Sequence, residues 1–271
     1  MARYDIRDTW ILSIMDPEQA LEHFKTFGYV VVPIFTEDEV KQLQQQFHQE
    51  LLSLDIDHDA ILSGLQPPPL EVKNKSRVSE IRNSQWKVDA QMDPRITSIY
   101  RFILDGTFMT GSVPGYEHPL GVHNAMEPFI DRMCYRLPDK IRAEGGLAMH
   151  MDRNPGSPYT GKMYRPIQSF IALTDHYTSN DGGLQLVTKF HKEYDHYFRN
   201  YTGEKVEGVE GDFFRMHGKS YDSLRRRLET ICVPAGSIVL WDNRIPHATC
   251  DQLLNNDTRE VIYFSFLPAK K

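Results

Sequence analysis

GSIVLWDNRIPHAT, from Gly236 to Thr249, is the stretch whose reading decides the fold. The Pro234-Ala235-Gly236 segment that leads into it is a tight turn, since Pro presets one backbone angle and Gly supplies a positive one. Ser237–Trp241 follows as a strong strand of β-branched and aromatic residues, and the polar corner after it brings His247 back towards the sheet. Working outward, the same texture recurs from about Met133: Leu147–Asp152, Pro166–Thr174, Leu184–Thr188, Thr230–Val233 and Glu260–Leu267. Short β segments joined by Gly, Pro and Asn/Asp turns predict a mainly β chain with flanking helices and a double-stranded β-helix (jelly-roll) core. Asp181-Gly182-Gly183 reads as a hairpin whose glycines supply positive φ.

The imidazole at the end of that stretch has two partners upstream in His150-Met151-Asp152. In an extended chain residues i and i+2 share a face, so His150 and Asp152 converge while Met151 turns away. A His-x-Asp tripeptide alone recurs by chance as a surface or capping pair. With His247 it becomes a facial set of two imidazoles and one carboxylate, the donor set of ferrous iron, with three metal positions left open. Iron held in this way can chelate a keto acid and still bind dioxygen, so the spacing predicts oxygenase chemistry. Twelve residues beyond His247, Arg259 opens the last strand. A guanidinium buried at a strand start needs a carboxylate, and the end of a keto acid supplies a bidentate one.

Upstream, Asp16-Pro17 opens a helix in which Ala20, Leu21, Phe24 and Phe27 recur at helical spacing until Gly28 stops it, and Tyr29–Ile34 is a β-branched strand. Thr36-Glu37-Asp38-Glu39 is a capping box, and Val40, Leu43, Phe47, Leu51 and Leu54 form one apolar stripe that faces the core. Residues 64–70, with three consecutive prolines, form a loop, Ser76–Arg82 starts a strand, Asp93-Pro94-Arg95 leads into a helix through Ile96, Ile99, Tyr100 and Ile103, and Gly106–Gly121 is a loop. The expectation is one oxygenase domain over 1–271. Residues 1–140 supply supporting helices and strands, and 141–271 supply most of the β-helix with the metal site.

The composition is that of an ordinary globular protein: 271 residues, 40% hydrophobic and 25% charged. A net charge of -6 argues against a general nucleic-acid binder, which carries a clustered basic excess. The N-terminal MARYDIRDTW has no apolar run behind its charges, and the Pro268-Ala269-Lys270-Lys271 ending is not a peroxisomal address, so the expected location is cytoplasmic, without membrane insertion. Cys134, Cys232 and Cys250 form no CxxC pair and read as reduced thiols. Cys250, on the opposite strand face from Thr249, is structural rather than a ligand.

DGGLQLV (Asp181–Val187), WDNRIPH (Trp241–His247), the His150-Met151-Asp152 triplet and FGYVVVPIFTEDEV (Phe27–Val40) together resemble the phytanoyl-CoA dioxygenase family of iron(II)- and 2-oxoglutarate-dependent oxygenases. The likeness spans nearly the whole chain and is weakest over 55–140 and 191–230. It implies that His150, Asp152 and His247 bind Fe(II), that Arg259 pairs with the far carboxylate of 2-oxoglutarate, and that O2 is the co-reactant. The family commonly places a hydroxyl two residues after the distal histidine, where Thr249 stands here. Its arginine more often follows that histidine by eleven residues than twelve, so Asp251–Thr258 is expected to absorb one extra residue. Related halogenases lack the carboxylate that Asp152 provides, so the resemblance favours hydroxylation of an unactivated C–H bond in a small organic substrate, with release of succinate and CO2, and leaves desaturation, epimerisation and ring closure open.

Periodicity turns Gln168 and Thr174 towards the pocket, where Gln168 could touch the keto acid. Arg153, Tyr159, Lys162, Tyr164 and Arg165 cluster in a Pro/Gly-broken loop after the triplet, and Arg153, Tyr159 and Arg165 are the candidate contacts to an anionic substrate. Trp241 reads as core, with Asp242 and Arg244 as an ion pair that supports the metal ligand. His123, His176, His191, His196 and His217 read as hydrogen-bonded or exposed, and Arg225-Arg226-Arg227 as a solvated helix face. Two other classes share this motif: a non-enzymic cupin-like protein that binds metal and 2-oxoglutarate as a sensor, and a zinc hydrolase active without oxygen.

Overall fold

The computed structural model describes residues 16–68, 84–109, 125–143, 145–155, 165–199, 213–216, 218–255 and 258–269. In chain order the helices are α1 (Pro17–Phe27), α2 (Glu37–Leu52), α3 (His58–Leu62), α4 (Gln85–Gln91), α5 (Pro94–Gly106), α6 (Tyr194–Tyr197) and α7 (Asp222–Arg225). The strands are β1 (Tyr29–Pro33), β2 (Ala125–Arg136), β3 (His150–Met151), β4 (Ile167–Ala172), β5 (Leu184–Leu186), β6 (Phe214–Arg215), β7 (Glu229–Thr230), β8 (Ser237–Asp242), β9 (His247–Thr249) and β10 (Arg259–Ala269). They form two antiparallel sheets, ordered β1-β8-β4-β10-β2 and β6-β3-β9-β5-β7, the two layers of a jelly-roll.

Alternation assigns each face of these sheets. On the larger sheet Val30, Val32, Ile167, Ile171, Ile238, Leu240, Ile262 and Phe264 meet Ala20 and Phe24 of α1, Leu43, Phe47 and Leu51 of α2, and Ile96, Tyr100 and Ile103 of α5. Their neighbours Val31, Phe170, Ala172, Val239, Trp241 and Val261 point the other way, into the space between the sheets, where they join Leu184 and Leu186 of the smaller one. The smaller sheet has its own outer layer, in which Met149, Met151 and Ala248 pack on Phe190, Tyr194, Phe214 and Leu224. Met151 therefore faces away from its two neighbours, as the tripeptide pattern requires.

The helix signals fall where the sequence puts them. Asp16 accepts the N–H of Gln19, and α1 ends at Gly28, whose φ is 82°. A β-carbon on Gly28 would strike Ile245 and stand 2.5 Å from His191 Nδ1, so both angle and space require glycine there. The Thr36–Glu39 capping box is complete, but the stripe of α2 ends at Leu51, and Leu54 lies beyond the helix and is exposed. Gly236 turns at φ 83° beneath the Phe35 carbonyl and launches β8.

Several boundaries differ. β2 begins at Ala125 rather than near Met133: Glu127, Pro128, Asp131 and Arg132 hide its pattern, and it pairs only with β10, an edge position that tolerates proline. β3 is two residues long, and Asp152 sits just past it in a bend. The segment at Thr230–Val233 splits into β7 and an isolated bridge from Val233 to His176. Asp181–Gly183 is not a hairpin, since β4 and β5 lie in different sheets. Asp181 bridges Leu253 and its carboxylate accepts the N–H groups of Tyr177 and Thr178, which steers the chain from one layer to the other. Gly182 alone of the two glycines has positive φ, 66°. The short helices α3 and α4 carry no apolar stripe long enough to read. The expected strand at Ser76–Arg82 and most of the Gly106–Gly121 loop lie outside the described residues. No helix among the described residues is long and apolar enough to cross a membrane.

Candidate metal centre

Strand register brings the two histidines together. His150 on β3 stands directly opposite His247 on β9, and their ring centroids are 4.1 Å apart. Because the side-chain period is two, a slip of one residue would send either imidazole into the outer layer beside Met151 and Ala248. Each ring is oriented in the same way: His150 Nδ1 lies 2.8 Å from the Ala148 carbonyl and His247 Nδ1 2.9 Å from that of Ile245. A carbonyl only accepts, so each Nδ1 donates its proton there and each Nε2 is left for the site, where a bound metal would take its lone pair. Asp152 completes the set, its Oδ2 3.3 Å from His247 Nε2, and one donor atom of each residue lies within 4.8 Å of the others. Two donors at right angles on bonds of about 2.1 Å stand about 3 Å apart, so the spacing suits a facial metal site.

Electrostatics keeps the carboxylate ionised. Burial pushes the Asp152 carboxyl up, but His247, through charge and hydrogen bond, and then His150 and Arg165 hold it well below the usual aspartate range. The corner leading into His247 is set by a buried ion pair: the Arg244 guanidinium donates to both oxygens of Asp242, at 2.9 and 2.6 Å, and the Arg244 backbone N–H donates to Asp242 as well. This is the supporting pair expected from the sequence.

Arg259 opens β10 on the face that looks between the sheets. Its side chain is 1% exposed, Nη1 donates to the Cys134 thiol at 3.0 Å, and Nε and Nη2 hydrogen-bond nothing among the described residues. No described carboxylate pairs with it. Its guanidinium lies 5.8 Å from the ring of Phe170, which is 5.9 Å from Trp241, which in turn is 5.4 Å from His247. One aromatic relay thus joins the arginine to the metal ligands. A buried guanidinium without a counter-charge is costly by several kcal/mol, so this site calls for an anion. The donor triad and the waiting guanidinium together fit Fe(II) and 2-oxoglutarate.

The other candidates are distributed differently. Thr249 accepts the Leu147 N–H at 2.6 Å, and its own O–H has no acceptor among the described residues. Gln168 lies on the inner face of β4, opposite Trp241 in register, and is 6% exposed. Thr174 is past the end of β4, where its hydroxyl accepts the Glu260 N–H and meets His176. Arg153, expected on an open rim, is buried. Arg165 is partly exposed, pairs with Asp131 at 3.1 Å and stacks over Phe129. Tyr159, Lys162 and Tyr164 lie outside the described residues, as do His123 and His217. Asn256 and Asp257, in the stretch expected to hold one extra residue before Arg259, do so too.

Two polar groups beside this site escaped the sequence reading. The Trp241 indole N–H is buried without a partner among the described residues, although Trp241 reads simply as core. His176 is fully buried with Nδ1 unbonded among the described residues, and burial, then the charge of Arg259, keep it neutral. All three cysteines are free thiols, and the Cys250 thiol faces Thr230. Arg225 and Arg227 are held by Asp222 and Glu193 on the surface.

Fold and donor set define a double-stranded β-helix protein of the iron(II)- and 2-oxoglutarate-dependent oxygenase type. The chain belongs to the phytanoyl-CoA dioxygenase (PhyH) family, whose sequence profile matches residues 24–253. No curated protein sequence matches it. Among solved structures it is similar to GlcNAc Inducible Gene 2, GIG2 (DUF1479), from Candida albicans, with a TM-score of 0.71 and 15% identity over 96% of this chain and 66% of that one. It is also similar to AviO1 from Streptomyces viridochromogenes Tue57, at TM-score 0.58 and 18% identity over 95% and 97% of the two chains. A third likeness is to the epimerase SnoN, solved in complex with Fe3+, alpha ketoglutarate and nogalamycin RO, at 0.57 and 14% over 93% and 84%. At these identities the likeness establishes the fold alone, and the chain spans just under two thirds of the length of GIG2.

Proposed function

We propose that the protein, acting as one oxygenase domain, hydroxylates an unactivated C–H bond of a small organic substrate. His150, Asp152 and His247 hold Fe(II), and Arg259 holds the far carboxylate of 2-oxoglutarate. The observation that carries this reading is the Arg259 guanidinium, buried, without a carboxylate partner, and joined through Phe170 and Trp241 to His247. Neither a zinc hydrolase nor a purely structural metal site has a use for it.

Iron(II) bound together with 2-oxoglutarate supplies the activation of dioxygen that oxidises a C–H bond, with succinate and CO2 as co-products. The chain's own residues do the rest. The Ala148 and Ile245 carbonyls fix the two imidazoles so that both Nε2 atoms converge with the Asp152 carboxylate. The Arg259 fork and the Thr249 hydroxyl orient the keto acid, and Gln168 and the Trp241 N–H offer further donors on the same inner face. Phe170, Val239 and Val261 exclude water between the sheets. Arg165, partly exposed and close enough to act on Asp152, is the residue that would meet an anionic group on the substrate. Arg153 and Tyr159 are the further candidates from the loop after the triplet.

The test is turnover by purified protein with Fe(II), ascorbate and 2-oxoglutarate under 18O2, across a panel of small carboxylates and phosphates. The expected result is succinate formation with one labelled oxygen in the product. Succinate with an isomer of unchanged mass would replace hydroxylation by epimerisation. Bound iron and 2-oxoglutarate with no succinate across the panel would make the protein a sensor.

A further inference from the structure

On the opposite side of the larger sheet, beneath the helices, two more imidazoles and a carboxylate meet. His48 comes from α2, His58 from α3 and Glu260 from β10, and one donor atom of each lies within 4.8 Å of the others. The two rings stack with centroids 3.8 Å apart and 17° between their planes. His48 Nε2 is 2.8 Å and His58 Nδ1 3.7 Å from the same atom, Glu260 Oε1. The Glu260 side chain is 1% exposed, and its Oε2 has no hydrogen-bond partner among the described residues.

A carboxylate serving only as a hydrogen-bond acceptor does not account for this arrangement. The Thr258 hydroxyl, at 2.9 Å, and His48 both use Oε1, while the second oxygen is desolvated and unused, at a cost of about 1–3 kcal/mol or more for a charged group. Two stacked imidazoles aimed at one carboxylate would also repel each other as imidazolium ions, whereas two neutral rings can share one cation. We propose that His48, His58 and Glu260 form a second divalent-metal site, taking Zn(II) or a similar borderline ion through two imidazoles and one carboxylate.

Three protein ligands with a fourth position open is an established zinc arrangement. Tetrahedral bonds of about 2.0–2.1 Å place donors about 3.3–3.4 Å apart, so the cluster must tighten and the two near-parallel rings must turn until both nitrogen lone pairs point at one ion. Its histidines can do so, since their side chains are 30% and 13% exposed at the edge of the core. The Tyr135 hydroxyl lies 3.0 Å from His58 Nδ1, the nitrogen that also faces Glu260, so on metal binding it would yield that nitrogen to the ion. An ion here would clip α2 and α3 to β10 at the residue next to Arg259, whose guanidinium leaves the strand on the other face.

This inference does not depend on the reading of the first centre, and the test separates the two. Full-length protein stripped with a chelator is dialysed against Zn(II) alone, and bound metal and thermal midpoint are measured for the wild type and variants. The wild type should hold two equivalents. The His150→Ala/His247→Ala double variant should hold one and gain thermal stability on adding Zn(II). Adding His58→Ala, or His48→Gln should the first alter the circular dichroism spectrum, should remove both the equivalent and the gain. A double variant that binds no Zn(II) where the wild type saturates, or a triple variant that keeps its equivalent, would overturn the second site.

Discussion

At the scale of the residue, function concentrates in side chains whose polar atoms the fold leaves uncommitted. Arg259 is the clearest: buried and charged, with its Nε and Nη2 unbonded among the described residues. Its replacement by Ala is expected to raise the 2-oxoglutarate concentration needed for half-saturation at least tenfold, the equivalent of about 1.4 kcal/mol, with iron stoichiometry unchanged. Titration of 2-oxoglutarate into the iron-loaded variant checks this, and an unchanged affinity removes Arg259 from the cosubstrate site. His150→Ala and Asp152→Ala should lose iron and turnover together, because either change leaves two donors where the facial set needs three. Retention of a full equivalent of iron at that centre would show that the metal sits elsewhere.

At the scale of the element, the corner from β8 to β9 does most to place the site. Asp242 and Arg244 are almost fully buried and form a bidentate pair within a two-residue span. Asp242→Ala leaves the guanidinium buried without its partner, and should cost about 3–5 kcal/mol in denaturant unfolding. A double replacement by apolar residues of similar volume should cost far less, and equal losses would refute the ion-pair account. Gly28 supports the same corner from below, where its left-handed turn passes under Ile245. Gly28→Ala combines an unfavourable φ with a steric clash, so a loss of about 1–3 kcal/mol is expected, and a neutral effect would mean that the turn relaxes.

Across the whole molecule, buried histidines make stability depend on pH. Burial lowers His23 to about 4 and, despite the opposing charge of Asp242, lowers His191 to about 4 as well. These groups bind protons more readily in the unfolded chain, so their contribution is complete above about pH 6.5 and is lost as pH falls from there towards 4. Each contributes up to about 1.4 kcal/mol per pH unit within that window. Urea unfolding at pH 7 and pH 5 should show the loss, reduced in His191→Phe. A flat profile over that range would mean that both imidazoles are already solvated in the folded state.

The sequence by itself determined the layers and the candidate triad. Alternation is local, so β1, β4, β8 and β10 can be read from consecutive residues, as can the caps of α1 and α2. The triad was legible because His150 and Asp152 are two residues apart and His247 ends a distinctive corner. What only the tertiary structure decided is what depends on residues far apart in the chain: the register that sets His150 against His247, the orphaned nitrogens of Arg259, the burial of Arg153, and the meeting of His48 and His58 with Glu260 more than two hundred residues later. Periodicity tells which face a side chain takes. Whether a polar atom on that face finds a partner depends on the opposite layer, and no local pattern records it.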